Sequence, residues 1–296
     1  LALPLDRHPL RALLAMLAGA ACLSTGAVWV KLADVPPSVS AFWRMAFGAL
    51  FLGLWLLWAR RPFLARGRGS GLYLLAAVAF AVDLFLYHRS ILLVGPGLAT
   101  LLANFQVFVL AVVGGLLFRE ILGPRFFVGL TAAVFGLWLI VGLGWEAFAP
   151  EYRRGVWFGL ATALAYASYI LVLRRAQQAV GASRPETGLW QVSLACAGFM
   201  GISVLLEGQT LVVTDPASLG YLALLGLVTQ VGGWLLILYA IPRLPASLVG
   251  LLLLLQPSLA FVWDVWLFAR PVSAAEAVGI VLALAGIFFG TVRRRS

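Results

Sequence analysis

Apolar residues fill the chain in ten long stretches, separated by short turns that carry most of the arginines, prolines and polar residues. A helix crosses a hydrocarbon core roughly 30 Å thick with about 20 apolar residues. The pattern predicts spans at 10–31, 38–59, 71–91, 97–118, 124–144, 154–173, 188–206, 218–240, 246–268 and 273–292. A β-barrel would alternate apolar and polar positions, and runs such as Leu251–Leu255 do not. The expectation is an all-α integral membrane protein of ten helices. Its connections are too short for a soluble domain. The first helix starts near Leu10 with no small-residue cleavage site, so no cleaved signal peptide is expected.

The second half of the pattern repeats the first. With residues 89–142 set above 239–292, an offset of 150, twelve positions match without a gap, among them Gln106/Gln256, Gly129/Gly279 and Gly136/Gly286. Paired Gln and Gly weigh more than paired Leu in so leucine-rich a chain. The expected organisation is one transmembrane domain of two five-helix repeats, 1–148 and 149–296. An odd number of helices per repeat puts the second into the bilayer upside down relative to the first, as in many secondary carriers. Such carriers keep their site where the repeats meet, near the midplane.

Composition agrees: 63% of residues are hydrophobic and 11% charged, with mean hydropathy +1.02. The net charge of +10 sets orientation, since no compact basic domain exists to take nucleic acid. With the N-terminus inside, fifteen cations fall in inside loops: Arg7, Arg11, Arg60, Arg61, Arg66, Arg68, Arg119, Arg125, Arg174, Arg175, Arg184, Arg243, Arg293, Arg294 and Arg295. Five fall outside: Lys31, Arg89, Arg153, Arg154 and Arg270. This positive-inside bias predicts cytoplasmic termini. Cys22 and Cys196 lie in apolar spans and read as small packing residues. No phosphate-binding loop, metal-ligand spacing, nucleophile elbow or catalytic carboxylate pair is present. Neither a cofactor, a resident metal nor enzymatic catalysis is expected.

Several segments resemble the drug/metabolite transporter superfamily, specifically its ten-helix EamA-type members. They are VPPSVSAFWRMAFGAL with Pro36, Pro37 and Arg44; LLANFQVFVLAVVGGLLFRE, ending at Glu120; and LLLLLQPSLAFVWDVWLFARP with Pro257. The resemblance covers nearly the whole chain and is greatest to YddG-type exporters of aromatic and other amino acids. Two departures stand out: Val107 occupies the repeat position of Pro257, and Arg270 that of Glu120. The resemblance implies a carrier of the bacterial inner membrane, embedded in lipid, that exports amino acids or related metabolites by alternating access; the sequence does not set the oligomeric state, and a monomer is favoured. It also implies a cavity lined by helices one, three, four, six, eight and nine. An efflux carrier for other metabolites or cationic drugs is the alternative on the same fold; an intramembrane enzyme is the more distant one.

Few ionisable groups fall inside the spans, and each has two readings. Arg44 is an anchor for a substrate carboxylate or part of an outer gate, or else a structural donor. Asp83, with Tyr87 one turn on, binds a substrate ammonium or carries a proton, or else forms a static pair with Arg44; the pair is favoured. His88 belongs to that gate group, or is a solvated residue at a helix end. Asp264 is placed near the outer end of its helix, reaching interfacial water. Asn104, Tyr166, Tyr169, Gln230, Trp234, Gln256 and Trp263 offer amides and aromatic faces. Neutral hydrogen-bonding groups and an apolar lining suit an amino acid, although each also suits helix packing. Trp234 is taken to share a face with Gln230 at i+4. Pro257 is read as a kink within helix nine and a candidate hinge.

Overall fold

The computed structural model describes residues 7–64, 69–118, 123–180, 185–240, 243–244 and 252–291. Among these residues every regular element is helical: α1 Arg7–Ser24, α2 Gly26–Leu32, α3 Pro37–Trp58, α4 Gly69–Val94, α5 Pro96–Ala103, α6 Gln106–Phe118, α7 Pro124–Leu137, α8 Pro150–Val180, α9 Pro185–Leu206, α10 Pro216–Leu224, α11 Trp234–Ala240, α12 Leu255–Phe268 and α13 Ala274–Thr291. Among the described residues eight stretches, from Leu10–Leu32 to Pro216–Ala240, are long and apolar enough to cross a membrane, and the apolar helix Ala274–Gly290 is shorter. The expected span 246–268 is described only from residue 252, and Glu120 also lies outside the described residues.

Proline explains where many helices begin. Pro37, Pro96, Pro124, Pro150, Pro185 and Pro216 each open one, at positions where a missing N–H costs nothing and the fixed φ already suits the helix. At α10, Asp215 adds a side-chain cap, accepting from the Ser218 N–H at 2.8 Å and its hydroxyl at 2.7 Å. These bonds hold the Asp215 carboxyl below its usual titration range. The helix α8 outruns the expected 154–173 because Arg174, Arg175, Gln177 and Gln178 are good helix formers beyond the apolar stretch.

Two spans are broken at equivalent places. Between α5 and α6 the helix is interrupted at Asn104–Phe105. There the Asn104 side-chain amide donates to the Thr100 carbonyl at 2.8 Å, and its backbone N–H is shared between the Thr100 and Leu101 carbonyls. The second interruption is a turn at Leu254, immediately before α12 and 150 residues after Asn104. Pro257 therefore sits in the first turn of a helix, where its missing N–H is tolerated. It does not kink a continuous span as the sequence suggested; the break precedes it.

A further departure is the π-helical stretch Leu225–Gly233, between α10 and α11. Its wider turns rotate every following side chain relative to an α-helix.

The helices pack in reciprocal pairs. The α4 helix lies against α8, α1 against α11, α3 against α9 and α7 against α13. The last crossing is a glycine seam: Gly129 faces Gly286 and Gly290, while Gly136 faces Gly279 and Ala283. Residue 129 thus meets the repeat partner of 136, and 136 meets the repeat partner of 129. A Cβ on Gly129, Gly136, Gly279 or Gly286 would overlap backbone of the opposing helix. Close backbone approach is a main source of helix association where the surrounding lipid is as apolar as the side chains.

The end predicted to be external is held by two polar clusters. In the first, Asp264 is 1% exposed. Its Oδ2 accepts from the Gly97 N–H at 3.1 Å and from Arg270 at 3.2 Å, and its Oδ1 lies 3.7 Å from Lys31 Nζ. Arg270 also pairs with Glu276 at 2.6 Å. The sequence placed Asp264 in interfacial water; the Gly95–Pro96–Gly97 turn comes close enough to bury it instead. Gly95, at φ 87°, lies so close that a Cβ would sit 2.6 Å from Asp264 Oδ2. In the second cluster Arg89 pairs with Glu207 at 2.6 Å, and Glu207 also accepts from Ser38 and Ser203.

Two substitution contrasts check this packing by thermal unfolding in detergent. Gly136→Ala should destabilise by about 1–3 kcal/mol through overpacking, whereas Gly198→Ala, with nothing within 4 Å of the new methyl group, should be neutral or stabilise by up to about 1 kcal/mol. Asp264→Asn should cost about 3 kcal/mol or more, because it removes one partner of a buried pair. Glu151→Gln, in an exposed pair with Arg154, should leave the unfolding temperature essentially unchanged.

Candidate functional site

The two helix breaks face one small cavity between the helices. Asn104 and Gln106 reach it from the first break, and Gln256 from the second. Gln106 and Gln256 are the repeat-paired glutamines, so equivalent positions of the two halves meet on one space. Arg44 from α3, Asp83 and Tyr87 from α4, Tyr166 from α8 and Trp234 from α11 complete the part of the lining that the sequence singled out.

Helix periodicity brings these groups into register. Asp83 and Tyr87 are four apart on α4 and share its face. Phe80 precedes Asp83 by three, Thr162 precedes Tyr166 by four, and Thr100 precedes Asn104 by four; all three also line the cavity. Sequence reasoning passed over them, yet their spacing from the chosen residues was available to find them. Small residues allow the close packing that frames the site: Gly155 and Gly159 of α8 lie against Leu93 and Leu102, and Ser90 donates to the Gly155 carbonyl at 2.8 Å.

Arg44 and Asp83 are 7% and 4% exposed. They do not form the static pair favoured from the sequence: no ion pair within 4.0 Å joins them. Among the described residues neither makes a side-chain hydrogen bond, and Arg44 Nε is buried without a partner. The Arg44 guanidinium instead lies 5.8 Å from the centre of the Phe80 ring, a cation–π contact. An acid and a base thus line one small cavity, each free to meet something else.

One wall is aromatic. Phe80 stacks on Tyr169 at 4.3 Å, Tyr166 stacks on Tyr169 at 6.0 Å, and Trp234 meets Tyr169 edge-on at 6.4 Å. Tyr169 is fully buried behind this wall and does not reach the cavity. Gln230 does not reach it either. It is buried against α9, donating to Ser193 Oγ at 3.1 Å, because the π turns between it and Trp234 break the shared face assumed at i+4. Trp263 points to α1, donating to Ser24 Oγ at 3.0 Å. His88 is neither solvated nor in the cavity. The α4 helix continues to Val94, so His88 is 0% exposed and its Nδ1 lies 2.7 Å from Ser40 Oγ. Cys196 is buried and Cys22 partly so, both as free thiols.

Among the described residues no group of three His, Cys, Asp or Glu side chains could hold a metal ion. His88, bonded to Ser40, and Asp264, in its own cluster, do not converge on Asp83.

Comparison with curated proteins returns no match. A solved structure described as "Crystal structure of protein" superposes with a TM-score of 0.68 at 20% identity, covering 95% of this chain and 98% of that one. At that identity the likeness establishes the fold. The model of the EamA-like transporter family matches residues 10–142 and again residues 153–292. With its apolar membrane-length helices and both halves matched, the chain is a multi-pass membrane protein that belongs to the EamA-like transporter family.

Proposed function

We propose that this protein is a secondary carrier that exports small zwitterionic metabolites, above all aromatic and other amino acids. The observation that carries the reading is the pair of unpartnered opposite charges, Arg44 and Asp83, on one cavity. Buried charges are costly unless something completes them. An α-amino acid brings a carboxylate for Arg44 and an ammonium for Asp83, and its side chain meets Phe80, Tyr166 and Trp234. The aromatic wall favours bulky apolar side chains without fixing one shape.

The mechanism follows from the two halves. Ten spans in two inverted repeats would place a pseudo-twofold axis in the membrane plane, through the cavity. The reciprocal glycine seam, the breaks at residues 104 and 254, and the family match to each half support that arrangement. Discontinuous helices at a repeat interface are the usual setting for a carrier's site. Rocking of the halves about the seam would open the cavity to each side in turn. The positive-inside bias supports cytoplasmic termini, and the family resemblance supports a bacterial inner-membrane location.

Efflux of cations is the second reading, because Asp83 does line the cavity. Arg44 argues against it, since a guanidinium in the same small space repels a cationic cargo.

Counterflow into proteoliposomes loaded with unlabelled amino acid tests the proposal. Several amino acids should exchange, including bulky neutral ones, with shallow preference among side chains, since one methylene in an apolar pocket is worth about 1–3 kcal/mol. Blocking either charged end should abolish exchange. Counterflow confined to polyaromatic cations or nucleotide sugars would refute the amino-acid reading.

A further inference from the structure

The direction of one hydrogen bond fixes what the cavity asks of the cargo's nitrogen. Thr100 carries a single hydroxyl proton, and it is donated to the Pro96 carbonyl at 2.7 Å. Thr100 Oγ1 also lies 2.8 Å from the Tyr87 hydroxyl. With its own proton committed, Thr100 can only accept there, so Tyr87 is the donor. The Tyr87 oxygen then offers the cavity lone pairs and no proton.

Asn104 is fixed in the same way. Its Nδ2 donates to the Thr100 carbonyl at 2.8 Å. That bond decides which end of the amide is nitrogen, and it leaves Oδ1 without a donor among the described residues. Asp83 adds a carboxylate with no partner among them. Three acceptors, two on α4 and one at the C-terminal end of the adjacent α5, therefore line the cavity: Asp83, Tyr87 Oη and Asn104 Oδ1.

We propose that Asp83, Tyr87 and Asn104 form a site for a primary ammonium group, with Thr100 as the positioning residue that keeps Tyr87 an acceptor. The inference rests on the amino-acid reading above and narrows it. Three acceptors match the three N–H bonds of a primary ammonium. A trimethylated nitrogen keeps the charge but has no N–H to give. The site thus selects by hydrogen-bond donors rather than by charge alone. Unfilled, buried acceptors of this kind reject a donor-less analogue strongly.

The test is ligand-induced thermal stabilisation of the purified full-length chain in sodium-free buffer. The ligands are phenylalanine, N-methylphenylalanine and N,N,N-trimethylphenylalanine. Wild type should bind phenylalanine roughly 10-fold or more tightly than the trimethyl analogue, with the monomethyl compound between them. Thr100→Ser keeps the relay and should keep that ratio. Thr100→Val frees the Tyr87 proton to turn toward Asp83 and should bring the ratio within about 3-fold, mainly by weakening phenylalanine. If Thr100→Val does not fold, Tyr87→Phe removes the same acceptor and should collapse the ratio in the same way. Equal binding of phenylalanine and the trimethyl compound by wild type overturns the ammonium site while leaving amino-acid transport standing. So does an unchanged ratio in both Thr100→Val and Tyr87→Phe, or stabilisation by sodium chloride that phenylalanine does not exceed. Failure of wild type to bind any of the three compounds overturns both this site and the amino-acid reading.

Discussion

A charge inside a bilayer must be completed by something, and this bundle holds two whose completion does not come from each other. Arg44 and Asp83 are nearly inaccessible from outside the protein, share one cavity and form no ion pair. The rest of the architecture keeps them apart and accessible from within. Broken helices at Asn104 and Leu254 open the space between them. The Phe80 ring supports the guanidinium from one side. The glycine seam between α7 and α13 lets the two halves pack backbone to backbone without filling the middle.

The contrast with the predicted external end shows that the open charges are a local feature. There Asp264 takes bonds from a backbone N–H and Arg270, with Lys31 nearby, and Arg89 is paired with Glu207. There the chain pairs its acids with cations where helices are tied together. At the centre it arranges acceptors and a donor around a void. The proposed ammonium site extends that logic to single protons, with the Tyr87 hydrogen committed to Thr100 and its oxygen presented to the cavity.

Much of this was legible in the sequence because hydropathy and proline report directly on membrane helices. The sequence pairs Gln106/Gln256 and Gly129/Gly279, 150 residues apart, and both pairs find structural roles, the glutamines in the cavity and the glycines in the seam. Asp83, Tyr87, Asn104, Tyr166, Trp234 and Gln256 were singled out as polar or aromatic residues in apolar spans, and they converge. The misplacements have a common origin in local backbone geometry. A π-helical stretch, which hydropathy does not signal, turned Gln230 away from Trp234. The break before Pro257 depends on how side chains and carbonyls share bonds at Leu254, not on proline alone. His88 was assigned to a helix end because α4 was drawn three residues short. Asp264 was assigned to water because its partners come from a turn and a loop far away in sequence. The Arg44–Asp83 pair failed for a related reason: span counting gives depth in the membrane, not the direction in which a side chain points.

A thermal-stability cycle of wild type, Asp83→Asn, Arg44→Gln and the double variant, with and without saturating phenylalanine, decides whether these two charges face a ligand or each other. Without ligand the double variant should recover little of any stability lost in the single variants, as for charges that share a cavity but no direct bond. Phenylalanine at a hundred times its dissociation constant should stabilise wild type by about 2.7 kcal/mol and leave the double variant unchanged. A double variant that regains, with no ligand present, the several kcal/mol lost by each single variant would show a buried ion pair and contradict a site built for a zwitterion.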